Sequence, residues 1–193
     1  MKLILSSCDF GNPASKQVIL ENMEKPIDRC KVLFFPNEKA TRESIHSEKY
    51  YHWIQERGFA RENTYIFDDE IPERFAELDI DCLHISGGNT FQMLDRIKKC
   101  GADRMILRYL HRGVSYVGGS AGVHIVTRNI EHLLPIDGNP TGISDFQGLG
   151  VFEGILFCHF TQERRPLYEK AVAEGKYPVY ALTDEESIVD FHE

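Results

Sequence analysis

A chain of 193 residues, 42% of them hydrophobic, has the length and apolar content for one substantial core, so a single domain over residues 1–193 is expected. Its formal net charge of -8 argues against the basic face that nucleic acid or an acidic membrane surface would require. No apolar run approaches the ~18 residues of a membrane span, and the N-terminal MKLILSS is too short for a signal segment, so neither a nucleic-acid nor a membrane partner is expected.

In chain order, short β-rich runs are predicted at Lys2–Ser6, Cys30–Phe35, Thr64–Phe67, Cys82–Ser86 and Ser115–Val117, with longer amphipathic stretches between them. Thr41 is placed to cap a helix running to about Arg57 and stopped by Gly58. Pro72 suits the first turn of a short helix, and Thr90–Lys99 and Asp103–Arg112 read as helices ended by Gly101 and Gly113. Strands alternating with helices imply a mostly parallel sheet covered on both faces, with its ligand site beyond the carboxyl ends of the strands. Leu134–Gly150, rich in Gly, Pro, Asn and Asp, reads as a long surface loop. Strands are expected again at Gly154–His159, Val179–Leu182 and Val189–Phe191.

The five cysteines, Cys8, Cys30, Cys82, Cys100 and Cys158, are odd in number, lack C-x-x-C spacing and lie mostly inside apolar runs. They read as reduced structural thiols of a cytoplasmic protein, with no zinc site.

The chemistry concentrates in Val114–Ile125, where a predicted strand passes through Gly118-Gly119-Ser120-Ala121-Gly122 directly into a helical run. G-x-S-x-G between strand and helix is the setting of a nucleophile elbow: small neighbours permit the sharp reversal that projects Ser120 from the top of the sheet. A second Gly-rich turn, Ser86-Gly87-Gly88-Asn89-Thr90, also leaves a strand and opens a helix. The N–H groups of Gly88 and Ala121 can then converge on one oxygen, as an oxyanion hole requires.

A neutral hydroxyl needs a base to take its proton. Of the eight histidines, His159 ends a strand at the sheet end assigned to Ser120, whereas His124 lies one helical turn past Ser120 and reads as a packing residue. The base in turn needs a carboxylate; Glu131, Asp137, Glu163, Asp184, Glu185 and Glu186 are candidates, and spacing does not choose among them.

Five ordered blocks carry a resemblance: Ser86-Gly87-Gly88-Asn89-Thr90-Phe91, Gly118–Gly122, the strand ending at His159, Arg164-Arg165-Pro166-Leu167, and Ala181-Leu182-Thr183-Asp184. Through them the chain resembles the peptidase E family of aspartyl dipeptidases and related serine peptidases. The resemblance implies a three-layer α/β sandwich with a mostly parallel sheet, flavodoxin-like or class I glutamine amidotransferase-like. It also implies Ser120 as nucleophile, His159 as base, and no metal or cofactor. It favours Asp184 as the third residue, with Asp137 the loop alternative, and makes Arg164 the nearest equivalent of the basic residue that holds an acidic substrate side chain. The segment from His159 to Arg164 is shorter than in the dipeptidases, and Gly119 stands where a larger residue is common. The expected partner is a small peptide, the expected assembly a monomer or homodimer. An esterase or amidase on the same scaffold, and a silent anion-binding module, are the competing functions.

Overall fold

A computed structural model describes residues 1–191. Its elements run β1 (Lys2–Ser6), α1 (Pro13–Asn22), β2 (Val32–Phe35), α2 (Arg42–Ile45), α3 (Glu48–Glu56), β3 (Thr64–Ile66), β4 (Cys82–Ile85), α4 (Thr90–Lys99), α5 (Ala102–His111) and β5 (Ser115–Gly119). There follow α6 (Ala121–His124), α7 (Leu134–Asp137), β6 (Ile155–Phe157), α8 (Arg165–Glu174), β7 (Val179–Ala181) and β8 (Ser187–Phe191).

The main sheet has six strands in the order β3-β2-β4-β5-β1-β8, parallel except for β8, which pairs antiparallel with β1. Successive side chains of a strand face opposite sides, and the apolar residues divide accordingly. Leu3, Leu5, Leu33, Phe35, Leu83, Ile85 and Tyr116 enter one core layer; Ile4, Val32, Phe34, Cys82 and Val117 enter the other. Strands buried on both faces must be apolar at nearly every position, which is why they appear in the sequence as continuous runs. This is the mostly parallel, helix-covered α/β sheet anticipated above.

Several local features differ from the sequence reading, among them α7 at the start of the stretch expected as a loop and α8, which was not expected. The stretch from Thr41 to Arg57 is not one helix: Thr41 caps α2 through a reciprocal pair with Ser44, and Ser47 then opens α3 by accepting from the Lys49 N–H at 3.2 Å. A second capping residue inside an amphipathic stretch favours ending one helix and beginning another. Helix α1 has no counterpart in the reading; Asn12 caps it, accepting from the Ser15 N–H at 2.9 Å, and only Ser15 and Ile19 are buried. The last difference matters for function. The strands that precede His159 and Asp184 do not join the main sheet; β6 and β7 form a separate two-stranded parallel sheet beside it. No helix of the described residues is long and apolar enough to cross a membrane.

Candidate active site

In the main sheet β5 lies between β4 and β1, so the turns that follow these three strands meet at their carboxyl ends. Ser120 leaves β5 at φ 46° and ψ -102°, outside the populated backbone regions, and opens α6. The reversal is anchored from the neighbouring strand, since the Ser120 N–H donates to the Ser6 carbonyl at 3.2 Å. Helix α6 then passes so close to β4 that a methyl at Gly122 would lie 2.2 Å from the Ile85 carbonyl oxygen; only glycine fits there.

The turn after β4 flanks Ser120. A methyl built at Gly87 would sit 3.3 Å from Ser120 Cβ, so the two Gly-rich turns are in contact. Gly88 adopts φ 152°, and a methyl there would meet Glu38 Oε2 at 2.1 Å, which reserves the position for glycine. Glu38 also accepts from the Asn89 N–H at 3.1 Å and so pins the turn from its outer side. Ala121 is the first residue of α6, where backbone N–H groups have no partner within the helix.

The small sheet brings up the other groups. His159 Nε2 lies 3.0 Å from Ser120 Oγ, and His159 Nδ1 lies 2.6 Å from Asp184 Oδ1. A carboxylate beside Nδ1 holds the ring proton there and leaves Nε2 as the acceptor for the Ser120 hydroxyl. The hydrogen bond from His159 pulls the Asp184 carboxyl below its ordinary range, with burial opposing more weakly. Ser120 and His159 are half-buried and Asp184 is exposed, so the group is open to a substrate.

Backbone bonds fix this arrangement. The His159 N–H donates to Ser7 Oγ at 2.7 Å, and the Phe160 N–H to the Leu182 carbonyl at 2.9 Å. The Asp184 carbonyl accepts from Asn12 Nδ2 at 2.7 Å and from Ser15 Oγ at 3.2 Å. The cap of α1 therefore also seats Asp184, a purpose for that polar helix which its own sequence does not disclose.

The remaining candidates lie elsewhere. Asp137 accepts from the Thr90 N–H at 3.1 Å through Oδ2, and its carbonyl accepts from Asn89 Nδ2 at 2.7 Å, so it caps α4. Arg164 is half-buried and its Nη1 donates to the Cys158 carbonyl, immediately before His159. Arg165 is exposed and bonded to Gln162. Glu186 caps its own turn through Thr183.

Two further histidines, His124 and His132, are structural, as expected for His124. His124 is buried; it accepts from the Cys158 N–H at 3.4 Å through Nε2, so Nδ1 carries the proton donated to Thr90 Oγ1 at 3.0 Å. It thereby ties α6 to α4 and to the strand that precedes His159. His132 Nε2 donates to the Leu156 carbonyl at 2.8 Å on the same strand. Burial depresses both, His124 far below the ordinary range and His132 to about 4.

A histidine held neutral in the folded state but protonated when unfolded makes the unfolded chain the stronger proton binder. Stability present above the unfolded value of about 6.5 is therefore lost as pH falls toward the folded value, by about 1.4 kcal/mol per pH unit for each such group. Urea unfolding between pH 7 and pH 5 should show this slope, reduced by about one histidine's share in His132→Gln. An unchanged slope in that variant would contradict the neutral assignment.

One pair has no counterpart in the sequence reading. Asp9, at φ 55°, accepts from His84 Nε2 at 2.9 and 3.1 Å, and His84 is fully buried among Phe10, Phe34, Trp53 and Phe59. The pair sets the turn after β1 against Gly119, where a methyl would meet Asp9 Cβ at 2.6 Å. A polar residue within the apolar run Cys82–Ile85 was the available signal.

Comparison with known proteins places this geometry in context. The sequence profile of peptidase family S51 matches residues 3–192. An uncharacterized peptidase of Listeria monocytogenes is 29% identical over 113 residues, 56% of this chain and 55% of that protein. One from Listeria innocua is 31% identical over 102 residues, 48% of this chain and 49% of that protein. The alignments thus span about half the length of these two relatives. A peptidase E of Shewanella denitrificans is 28% identical over 198 positions, covering 94% of this chain and 80% of that protein. Among solved structures, a candidate peptidase E protein of Listeria monocytogenes EGD-e superposes with a TM-score of 0.73 at 22% identity, covering 100% of this chain and 98% of the other. A peptidase from an acI-B1 actinobacterium gives 0.65 at 17% identity, with 98% and 82% coverage. These two structural matches establish the shared α/β fold.

Proposed function

We propose, from the premise that this chain belongs to peptidase family S51 and is a serine-type peptidase, that it hydrolyses short peptides with Ser120 as nucleophile, His159 as general base and Asp184 as the carboxylate partner. The observation that carries the reading is the continuous relay from Ser120 Oγ to His159 Nε2 at 3.0 Å and from His159 Nδ1 to Asp184 Oδ1 at 2.6 Å.

In this reading Ser120 Oγ attacks the scissile carbonyl carbon while its proton passes to His159 Nε2. Asp184 stabilises the imidazolium that forms and keeps the ring oriented. The carbonyl oxygen, now an anion, is received by the N–H groups of Gly88 and Ala121 at the junction of the two Gly-rich turns. His159 returns the proton to the leaving amine, and water then repeats the sequence on the acyl-enzyme. The strained backbone at Ser120 is consistent with this role, since such strain persists where the surrounding structure over-determines it. A fluorophosphonate, whose phosphorus is attacked by an activated serine with loss of fluoride, tests the reading without a known substrate. Mass spectrometry should locate one adduct on Ser120, and an unlabelled or randomly labelled protein would refute it.

The finer reading is a preference for peptides with N-terminal Asp, with Arg164 supplying the positive charge. Its electrostatic reach into the site is supported by its contribution to lowering the Asp184 carboxyl, after the effects of His159 and Cys8. Arg164 is half-buried, so solvent screens part of the about 3–5 kcal/mol that an unpaired, fully buried charge would cost, and Arg164→Met should reduce kcat/KM for Asp-Leu about tenfold or more relative to Ala-Leu. If Arg164 acts only by holding the Cys158 carbonyl, both substrates will decline in equal proportion, and the acidic preference must be abandoned.

A further inference from the structure

Among the described residues, Cys8, His159 and Asp184 bring a thiol sulfur, an imidazole nitrogen and a carboxylate oxygen all within 4.8 Å of one another. Cys8 Sγ is 3.9 Å from His159 Nδ1, on the edge of the ring turned away from Ser120. The peptidase chemistry proposed above has no use for this thiol. We propose that Cys8 Sγ, His159 Nδ1 and the Asp184 carboxylate form an inhibitory site for zinc, which switches the peptidase off by occupying the nitrogen that faces Asp184. The inhibitory consequence rests on His159 being the base; the metal site does not.

The donor set is suited to zinc, which binds thiolate, imidazole and carboxylate together in tetrahedral sites. With bonds of about 2.0–2.3 Å, ligand atoms around the ion stand about 3.3–3.7 Å apart. Cys8 must approach His159 by a few tenths of an ångström, and Asp184 must draw back from its 2.6 Å contact by somewhat more. Both movements are within side-chain reach, because Cys8 is half-buried and the Asp184 side chain is 62% exposed.

The backbone that carries the three donors is already fixed. The Gly11 N–H donates to the Cys8 carbonyl at 2.8 Å, Ser7 Oγ holds the His159 N–H at 2.7 Å, and the Ser7 N–H donates to the Glu186 carbonyl at 3.2 Å. Three loops that are distant in sequence are therefore tied together at the donor cluster. Asp9 adds negative charge near Cys8, while the positive charge of Arg164 near Asp184 opposes the cation.

Binding conserves oxidation states and releases one proton. Bonds form from zinc to Sγ, Nδ1 and a carboxylate oxygen; the Cys8 thiol proton goes to solvent. The ring proton displaced from Nδ1 resides on Nε2. His159 then presents an N–H to Ser120 in place of a lone pair, so it no longer accepts the hydroxyl proton.

The test separates metal binding from catalysis. The whole chain, stripped with EDTA, is titrated with cobalt(II), which reports a thiolate ligand by a near-ultraviolet charge-transfer band. The band should saturate at one ion per chain in the parent and in Ser120→Ala, disappear in Cys8→Ser and Cys8→Ala, and be displaced by zinc. In parallel, saturating zinc should slow fluorophosphonate labelling of the parent tenfold or more, reversibly with EDTA. Each Cys8 variant, compared with its own metal-free rate, should be slowed less than twofold. No cobalt band in the parent, a band that survives both Cys8 substitutions, or zinc inhibition of equal strength in parent and variants would overturn the proposal. A persisting band together with unaltered peptidase activity in Ser120→Ala would instead overturn the nucleophile assignment and leave the metal site standing.

Discussion

Ser120→Ala is expected to fold like the parent and to lose on the order of 10⁶-fold in kcat, with roughly 10³–10⁴ over the uncatalysed rate remaining from binding and oxyanion stabilisation. Alanine is subject to the same unfavourable backbone at φ 46° as serine, so the substitution adds little strain of its own. His159→Ala should fall to a similar level, because a hydroxyl without its base is a poor nucleophile. The decisive measurement is the double variant. Residues that act as one unit give non-additive losses, so Ser120→Ala/His159→Ala should be little worse than either single change. Losses that multiply would show that the 3.0 Å contact between the two side chains is not the catalytic relay.

The parts of this site that were legible in the sequence are those encoded locally. A continuous apolar run followed by Gly118-Gly119-Ser120-Ala121-Gly122 specifies strand, sharp turn and helix within a dozen residues, and nothing distant is needed to read it. The Gly87–Gly88 turn was legible for the same reason, although its contact with Ser120 depends on β4 and β5 being neighbours. The strands before His159 and Asp184 were found, but their pairing into a small sheet of their own was not, because three-residue strands carry no signal of which sheet they join. Asp9 with His84, and Cys8 with His159, are separated by 75 and 151 positions. Such contacts arise from the strand order and leave no periodicity to detect. Helix α1 was missed because it buries little apolar surface; its polar cap is used to seat Asp184 rather than to signal a helix.

The choice of carboxylate is where composition and spacing left the alternatives open, and the geometry now gives unequal expectations for the two aspartates. Asp184→Asn should lower kcat by about 10³–10⁴-fold, because an amide cannot stabilise the imidazolium and no longer enforces the proton on Nδ1. The lower end of that range is included because the Asp184 side chain is 62% exposed and water screens part of its charge. Asp137→Asn should leave the rate within about tenfold. Its Oδ2 accepts from the Thr90 N–H at the start of α4, a bond that an asparagine oxygen can also make, so the change touches a cap whose complete loss costs about 1 kcal/mol. Turnover on one dipeptide, measured beside urea stability, separates the two kinds of effect. Asp184→Asn should be inactive and stable; Asp137→Asn should be active and at most slightly less stable. The opposite ranking in turnover would move the third catalytic position from the turn after β7 to the end of α7, and His159 would then have to turn away from its 2.6 Å partner to work.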